Sequence, residues 1–338
     1  MPEPRTYRVR VLEVIEETAE ARSLVLLPPT GSGDRFAYRP GQFLTVRLPG
    51  ADGEPAAARC YSLSSSPETG EPLKITVKRV AGGYGSHWIC DHVAAGDELE
   101  VLPPAGTFTP DSLDRDLLLG AGGSGITPVL SIAKSALVSG RGKVALLYAN
   151  RDESSVIFRA ELRELTEDYP DRLVVLHWLE SVQGLPAADR LAAVLAPYAG
   201  RDAYVCGPAP LMDAVEEALG GRRVHRERFF SLGADVFDAP DVPAAEEGGA
   251  TAEVELDGET RTVRWPARTP LLDALLAAGV DAPYSCREGS CGACACRIVS
   301  GEAKMLSNDV LDEQDLAEGY VLACQAVPLT DEVEVSYS

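Results

Sequence analysis

Cysteine is concentrated in the stretch CREGSCGACAC, residues 286 to 296, and returns in YVLACQAVP. Cys286, Cys291 and Cys294 form a C-x4-C-x2-C run, and Cys324 follows after 29 intervening residues. Thiols so arranged can form disulfides, bind zinc or hold an iron–sulfur cluster. Nothing after MPEPRTYRVR reads as an export signal, so the chain is expected in the cytoplasm, where thiols stay reduced and disulfides are disfavoured. Zinc wants a second close Cys or His pair beside Cys291 and Cys294, and no histidine lies beyond His225. A [2Fe–2S] cluster uses all four positions, because one loop can wrap it and the small Gly289, Ser290, Gly292 and Ala293 let backbone N–H groups approach its sulfurs. Cys296 alternates with Ala295 into an expected strand, and the isolated Cys60 and Cys90 are expected as small buried side chains.

A cluster of this kind moves single electrons, whereas nicotinamide delivers a two-electron hydride; flavin can hold either number and so joins them. RCYSLSSSP at 59 to 67 offers Arg59 for a pyrophosphate, Tyr61 for an isoalloxazine face and Ser62 for a hydrogen bond to the ring, although R-x-Y-S is equally the alternation of a half-buried strand. In GGYGSHW at 82 to 88, glycines followed by Ser86 opening a helix would aim N–H groups at phosphate; a plain turn with an N-cap reads the same way. LLLGAGGSGITPVLS places Gly120, Gly122 and Gly125 in a G-x-G-x-x-G pattern between an expected strand and helix. The acid expected at the end of the next strand is absent, since LLYANRD closes on Asn150 and Arg151. Arg151 suits a 2′-phosphate, but Asp152 and Glu153 oppose that charge, so NADH is the expected donor with NADPH left open.

The elements that must hold these groups divide the chain. At 338 residues it is too long for one core of typical size. Short strand-like runs (YRVRVLEV, SLVLLPP, FLTVRLPG, LKITVKRV) predict an antiparallel β-barrel over residues 1–111. From 112 to 233 strands alternate with helical stretches, including SSVIFRAELRELTEDY, which predicts an α/β parallel-sheet domain. DAPDVPAAEEGGAT marks a linker at 234–250, and the remainder to 338 opens with a hairpin turning at Asp257 and Gly258. No internal repeat is found. A net charge of −21 without clustered Lys or Arg argues against a nucleic-acid partner, and the most apolar stretch is too interrupted to cross a membrane.

Residues from about 252, with YSCREGSCGACACRIVSGEAKM and LACQ, resemble a plant-type ferredoxin domain. The resemblance implies an α+β β-grasp fold, with Ser285, Arg287 and Ser290 flanking the cluster. YRPGQFLTV, RCYSLSSSP and VKRVAGGYGSHWICD, in that order, resemble the FAD domain of the ferredoxin–NADP reductase superfamily. That implies flavin contacts from Arg59, Tyr61 and Ser62, a pyrophosphate held by Gly83, Gly85 and Ser86, and FAD as the flavin. GAGGSGITP, through Thr127, and the later Cys206-Gly207-Pro208 resemble the superfamily's nucleotide domain, which sets Cys206 beside the nicotinamide; HRERFF implies Glu227 and Phe229 at the same face.

The whole order resembles the reductase component of multicomponent oxygenases. Among these the 3-ketosteroid 9α-hydroxylase type is preferred to the phenylacetyl-CoA epoxidase type. It implies that NAD(P)H reduces FAD, FAD the cluster and the cluster a terminal oxygenase, with no oxygenated substrate touching this chain. A monomer is expected, with its ferredoxin module mobile on the 234–250 linker. A stand-alone flavin oxidoreductase and a redox-sensing module remain the alternatives.

Overall fold

The computed structural model describes residues 6–50, 56–229, 231–232, 236–237 and 248–337. The N-terminal domain is an antiparallel sheet in the order Ala57–Ser62, Phe43–Leu48, Glu98–Ala105, Tyr7–Thr18, Ala21–Leu27, Leu73–Lys78. Two-residue alternation builds it: Tyr7, Val9 and Val11 are buried while Arg8 and Arg10 face out. Its two outer strands are joined only by a bridge from Leu63 to Ile75, so the sheet curls towards a barrel without a closing ladder among the described residues. One helix, Tyr84–His92, packs on it through Ile89 and Cys90.

The middle domain is a parallel sheet in the order Val224–Glu227, Asp202–Cys206, Leu117–Gly122, Val144–Asn150, Leu173–Leu179. Leu117–Gly122 and Val144–Asn150 are buried at every position, as strands covered on both faces must be. Helices Ile126–Ser139 and Arg159–Asp168 cover one face; Ala188–Leu195 and Ala209–Ala218 cover the other. The strand order reverses between Leu117–Gly122 and Asp202–Cys206, which opens a crevice at their C-terminal ends.

The single helix expected through SSVIFRAELRELTEDY is broken. Asp152 caps a short turn at Glu153–Ser155, Val156 and Ile157 run into the core, and Phe158 takes φ 60° before the helix begins at Arg159. Burying three consecutive apolar side chains is incompatible with one amphipathic face, so the helix starts after them.

The C-terminal domain is a mixed sheet in the order Glu259–Pro266, Gly249–Leu256, Glu332–Ser336, Ala295–Ser300, Tyr320–Leu322, with helix Leu271–Ala277 against it. Its hairpin turns as expected at Asp257 and Gly258, both at positive φ. Most of the expected linker lies outside the described residues, and the first strand already begins at Gly249. No described helix is long and apolar enough to cross a membrane.

Candidate flavin, nicotinamide and cluster sites

The strand Ala57–Ser62 presents the first group of candidates. Helix Tyr84–His92 approaches it so closely at Gly85 that a Cβ there would stand 2.6 Å from Leu48 and 3.0 Å from Arg59, with the Tyr61 hydroxyl at 3.4 Å. Arg59 is braced by donating to the Ala58 and Leu232 carbonyls at 2.7 and 3.3 Å. Burial raises the Tyr61 phenol well above its ordinary pKa, so it stays neutral. Ser62 is buried at the end of the same strand. A guanidinium, an aromatic face and a helix start thus converge where FAD would need them, and the residues fit the group.

Ser86 departs from the expectation. The helix starts at Tyr84 with Gly83 as its N-cap, and the Ser86 hydroxyl accepts from Val80 N at 3.0 Å and donates to the Gly83 carbonyl at 3.2 Å. Its side chain closes the glycine turn, leaving backbone N–H groups for a phosphate.

At the crevice of the middle domain, Gly122 and Gly125 interlock with Cys206-Gly207-Pro208. A Cβ at Gly125 would fall 2.1 Å from the Cys206 carbonyl, and one at Gly122 would fall 2.7 Å from Pro208. Gly120 abuts Val205 in the same way, and Thr127 donates to the Ser124 carbonyl at 3.0 Å to hold the turn. Cys206 is fully buried and pairs in register with Glu227 on the neighbouring strand. Desolvation pushes the half-buried Glu227 carboxyl up to about 8. Phe229 is 49% exposed where the chain leaves that strand, so the structure does not bring it to Cys206.

Sequence reasoning missed Lys78. Its Nζ lies 3.3 Å from where a Gly123 Cβ would be, and burial followed by the Arg151 charge lowers its pKa. Arg151 itself is exposed, and the Asp152 carboxylate beside it caps the Ser155 N–H at 2.9 Å. Asn150 is buried with neither polar atom of its amide hydrogen-bonded among the described residues. No local motif announces Lys78, because it belongs to the other domain.

The four candidate cluster ligands come together. Cys286 contacts Cys291 and Cys324, and Cys294 contacts Cys324; all four are buried. Glu288 and Ser290 donate backbone N–H groups to Cys286 Sγ at 3.4 Å, Ala293 to Cys291 Sγ at 3.5 Å, and Cys324 to Cys294 Sγ at 3.5 Å. The neighbouring thiols, helped by these donors, hold Cys286 far below an ordinary thiol. No three His, Cys, Asp or Glu side chains among the described residues are arranged around a single ion. Four thiols gathered under N–H donors supply the ligand set of a [2Fe–2S] cluster, and the residues fit that group. Gly289 and Gly292 adopt positive φ within the loop, Ser290 hydrogen-bonds Asp309, and Arg287 is anchored to Asp273 at 2.6 Å. Cys296 lies buried in its strand, as expected.

The loop also touches the N-terminal domain. Ser285 Oγ is 2.7 Å from Thr45 Oγ1 and 3.4 Å from Cys60 Sγ. Cys60 is therefore half-buried in a polar contact, not an isolated apolar filler.

Three family models match in the same order: an oxidoreductase FAD-binding domain over 11–109, an oxidoreductase NAD-binding domain over 119–217 and a 2Fe-2S iron-sulfur cluster binding domain over 254–329. The chain is 55% identical, over 98% of its length and 97% of the relative's, to the ferredoxin reductase component of the 3-ketosteroid-9-alpha-monooxygenase of Rhodococcus rhodochrous. It is 34% identical to a component of the 1,2-phenylacetyl-CoA epoxidase of Escherichia coli (strain K12), over 98% of this chain and 97% of that one. Phthalate dioxygenase reductase, a solved modular structure for electron transfer from pyridine nucleotides to [2Fe–2S], aligns with a TM-score of 0.58 and 28% identity over 98% of both chains.

Proposed function

Because this chain belongs to the family of oxygenase reductase components that join FAD-binding, NAD-binding and 2Fe-2S domains, we propose that it supplies electrons to a terminal oxygenase acting on 3-ketosteroids. The steroid reading rests on the 55% identity to the Rhodococcus component, against 34% to the epoxidase component. We read NADH as the donor, because Asp152 and Glu153 keep negative charge beside Arg151. Asp152 is held ionised by its hydrogen bonds to Ser154 and Ser155.

FAD, when bound, takes a hydride and gives up electrons one at a time. The chain's part is placement. Arg59, Tyr61 and the Gly83–Gly85 turn orient the flavin, the Gly122/Gly125 loop and Cys206 bring nicotinamide to it, and the half-buried Glu227 lies beside Cys206 on the neighbouring strand, its carboxyl pushed up to about 8 by desolvation, as a group that can hold a proton. The observation that carries the electron path is the abutment of the flavin strand and the cluster loop at Cys60 and Ser285.

The test is the visible spectrum of the purified holoenzyme during anaerobic titration with NADH and then NADPH. Flavin and cluster absorbance both bleaching at low NADH is expected. A flavin that bleaches with no iron–sulfur signal after reconstitution overturns the path. Cys291→Ser is expected to abolish reduction of one-electron protein acceptors while flavin bleaching stays near normal.

A further inference from the structure

The contact between Ser285 and Thr45 joins residues 240 positions apart in a seam with an apolar core. From the N-terminal domain come Phe43, Ala58, Leu102 and Ala105; from the cluster loop come Cys286 and Cys291. Thr45 is 1% exposed and Ser285 1%. Thr45 pairs in register with Cys60, and side chains alternate along a strand. Cys60 and Thr45 therefore look towards the cluster loop from between Arg59 and Tyr61, which look towards helix Tyr84–His92. One strand faces the flavin site with one set of residues and the ferredoxin with the next. Ser285 is bonded directly to the ligand Cys286, so a single 3.4 Å contact separates the flavin strand from a ligand residue's neighbour.

We propose that Thr45 and Ser285 are positioning residues for electron transfer from flavin to cluster, their buried hydroxyl pair fixing the register of the cluster loop on the flavin strand, with Cys60 completing the contact. Apolar groups adhere but tolerate sliding. A hydroxyl pair does not, because a shift of an ångström or two leaves both groups buried and unsatisfied. The loop is already tight against the domain at Gly292, where φ is +70° and a Cβ would lie 2.8 Å from Thr107 Oγ1. The electron count is simple. A hydride gives the flavin two electrons, and each crossing removes one from the flavin and adds one to the cluster, with no bond made or broken in the chain.

This inference rests on the proposed electron path, and its test separates the two. Holoenzyme with Thr45→Val, Thr45→Ser, Ser285→Ala and the Thr45→Val/Ser285→Ala pair is mixed anaerobically with NADH, and flavin bleaching and cluster reduction are followed separately. Alkylation of Cys60, read by peptide mass, reports opening of the seam without reference to activity. Thr45→Val is expected to slow cluster reduction about fivefold, the worth of one net hydrogen bond, and to speed Cys60 labelling by a similar factor. Flavin bleaching stays within about twofold and the cluster spectrum is unchanged. Thr45→Ser restores both rates, and the double variant is no slower than either single one. Wild-type cluster reduction in both Thr45→Val and Ser285→Ala overturns the proposal, as does equal slowing by Thr45→Ser and Thr45→Val. Wild-type protein whose cluster never reduces overturns the electron path itself.

Discussion

Against the nicotinamide domain, the flavin domain buries charge; against the ferredoxin domain, it buries hydroxyls and leaves its charges at the rim. In the first seam Lys134, only 6% exposed, pairs with Glu71 across the boundary and with Glu161 on its own side at 2.7 Å, while Lys74 crosses back to Glu161 at 3.1 Å. Ser131 donates to the Ser65 carbonyl at 2.6 Å, and Ser66 and Ser135 share a hydrogen bond of 2.7 Å. In the second seam the ion pairs among the described residues are Arg35–Asp281 and, from the nicotinamide domain, Arg223–Asp312 and Arg223–Asp315, on side chains 29% to 47% exposed. Opening the first seam would strand buried ions, whereas opening the second costs an apolar contact, the hydroxyl pair with its Cys60 contact, and ion pairs that solvent already screens. The difference matches the task on each side. Hydride transfer needs one fixed geometry, and the proposed delivery of electrons to a second protein asks for a seam that opens at lower cost.

The largest expected effect comes from breaking the charged seam. Lys134→Met leaves Glu71 and half of the Glu161 pairing without a cation, and should destabilise the flavin–nicotinamide unit by about 3 kcal/mol or more. An unchanged denaturant midpoint would remove the contrast between the seams. Acid should act on the same seam. Burial raises Glu161, but Lys74 and Lys134 outweigh it, so its folded pKa lies below its unfolded value of about 4.5. Its contribution is complete above that value and is lost as pH falls through the lower folded pKa. Glu17, raised by burial, has the opposite sign and stabilises only on the acid side. Melting curves from neutral pH down to about 3 should therefore show the wild type keeping its advantage over Glu161→Gln above about 4.5 and losing it below.

Much of the site was legible because its chemistry is local. Three of the four cysteines share one loop and R-x-Y-S lies on one strand, and the structure brings Cys324 to the other three cysteines. What escaped the sequence is what lies between domains. Lys134 sits inside an apolar helical stretch where a lone lysine reads as a solvated interruption, and its two carboxylates come from residues 71 and 161. Lys78 reaches Gly123 from another domain, and Thr45 in FLTVRLPG is an ordinary strand residue until Ser285 is folded against it. Ser86 shows the converse: its residue type suits a phosphate, but it lies inside the helix and its hydroxyl is used by its own turn.

The smallest effect should come from the rim of the ferredoxin seam. Arg223, whose side chain is 47% exposed, reaches Asp312 at 3.0 Å and Asp315 at 3.4 Å; exposed pairs of this kind contribute about 1 kcal/mol or less and are screened by salt. Raising salt to about 0.5 M should slow cluster reduction by no more than about fivefold and leave flavin bleaching and the flavin–nicotinamide melting transition unmoved. Arg223→Gln should mimic part of that slowing at low salt and flatten the salt dependence. A salt-independent rate would mean that the hydroxyl pair and the apolar contact hold the cluster alone. Equal salt sensitivity in flavin bleaching would mean that the rim charges act on both seams, and the division between a fixed and a releasable side of the flavin domain would fail.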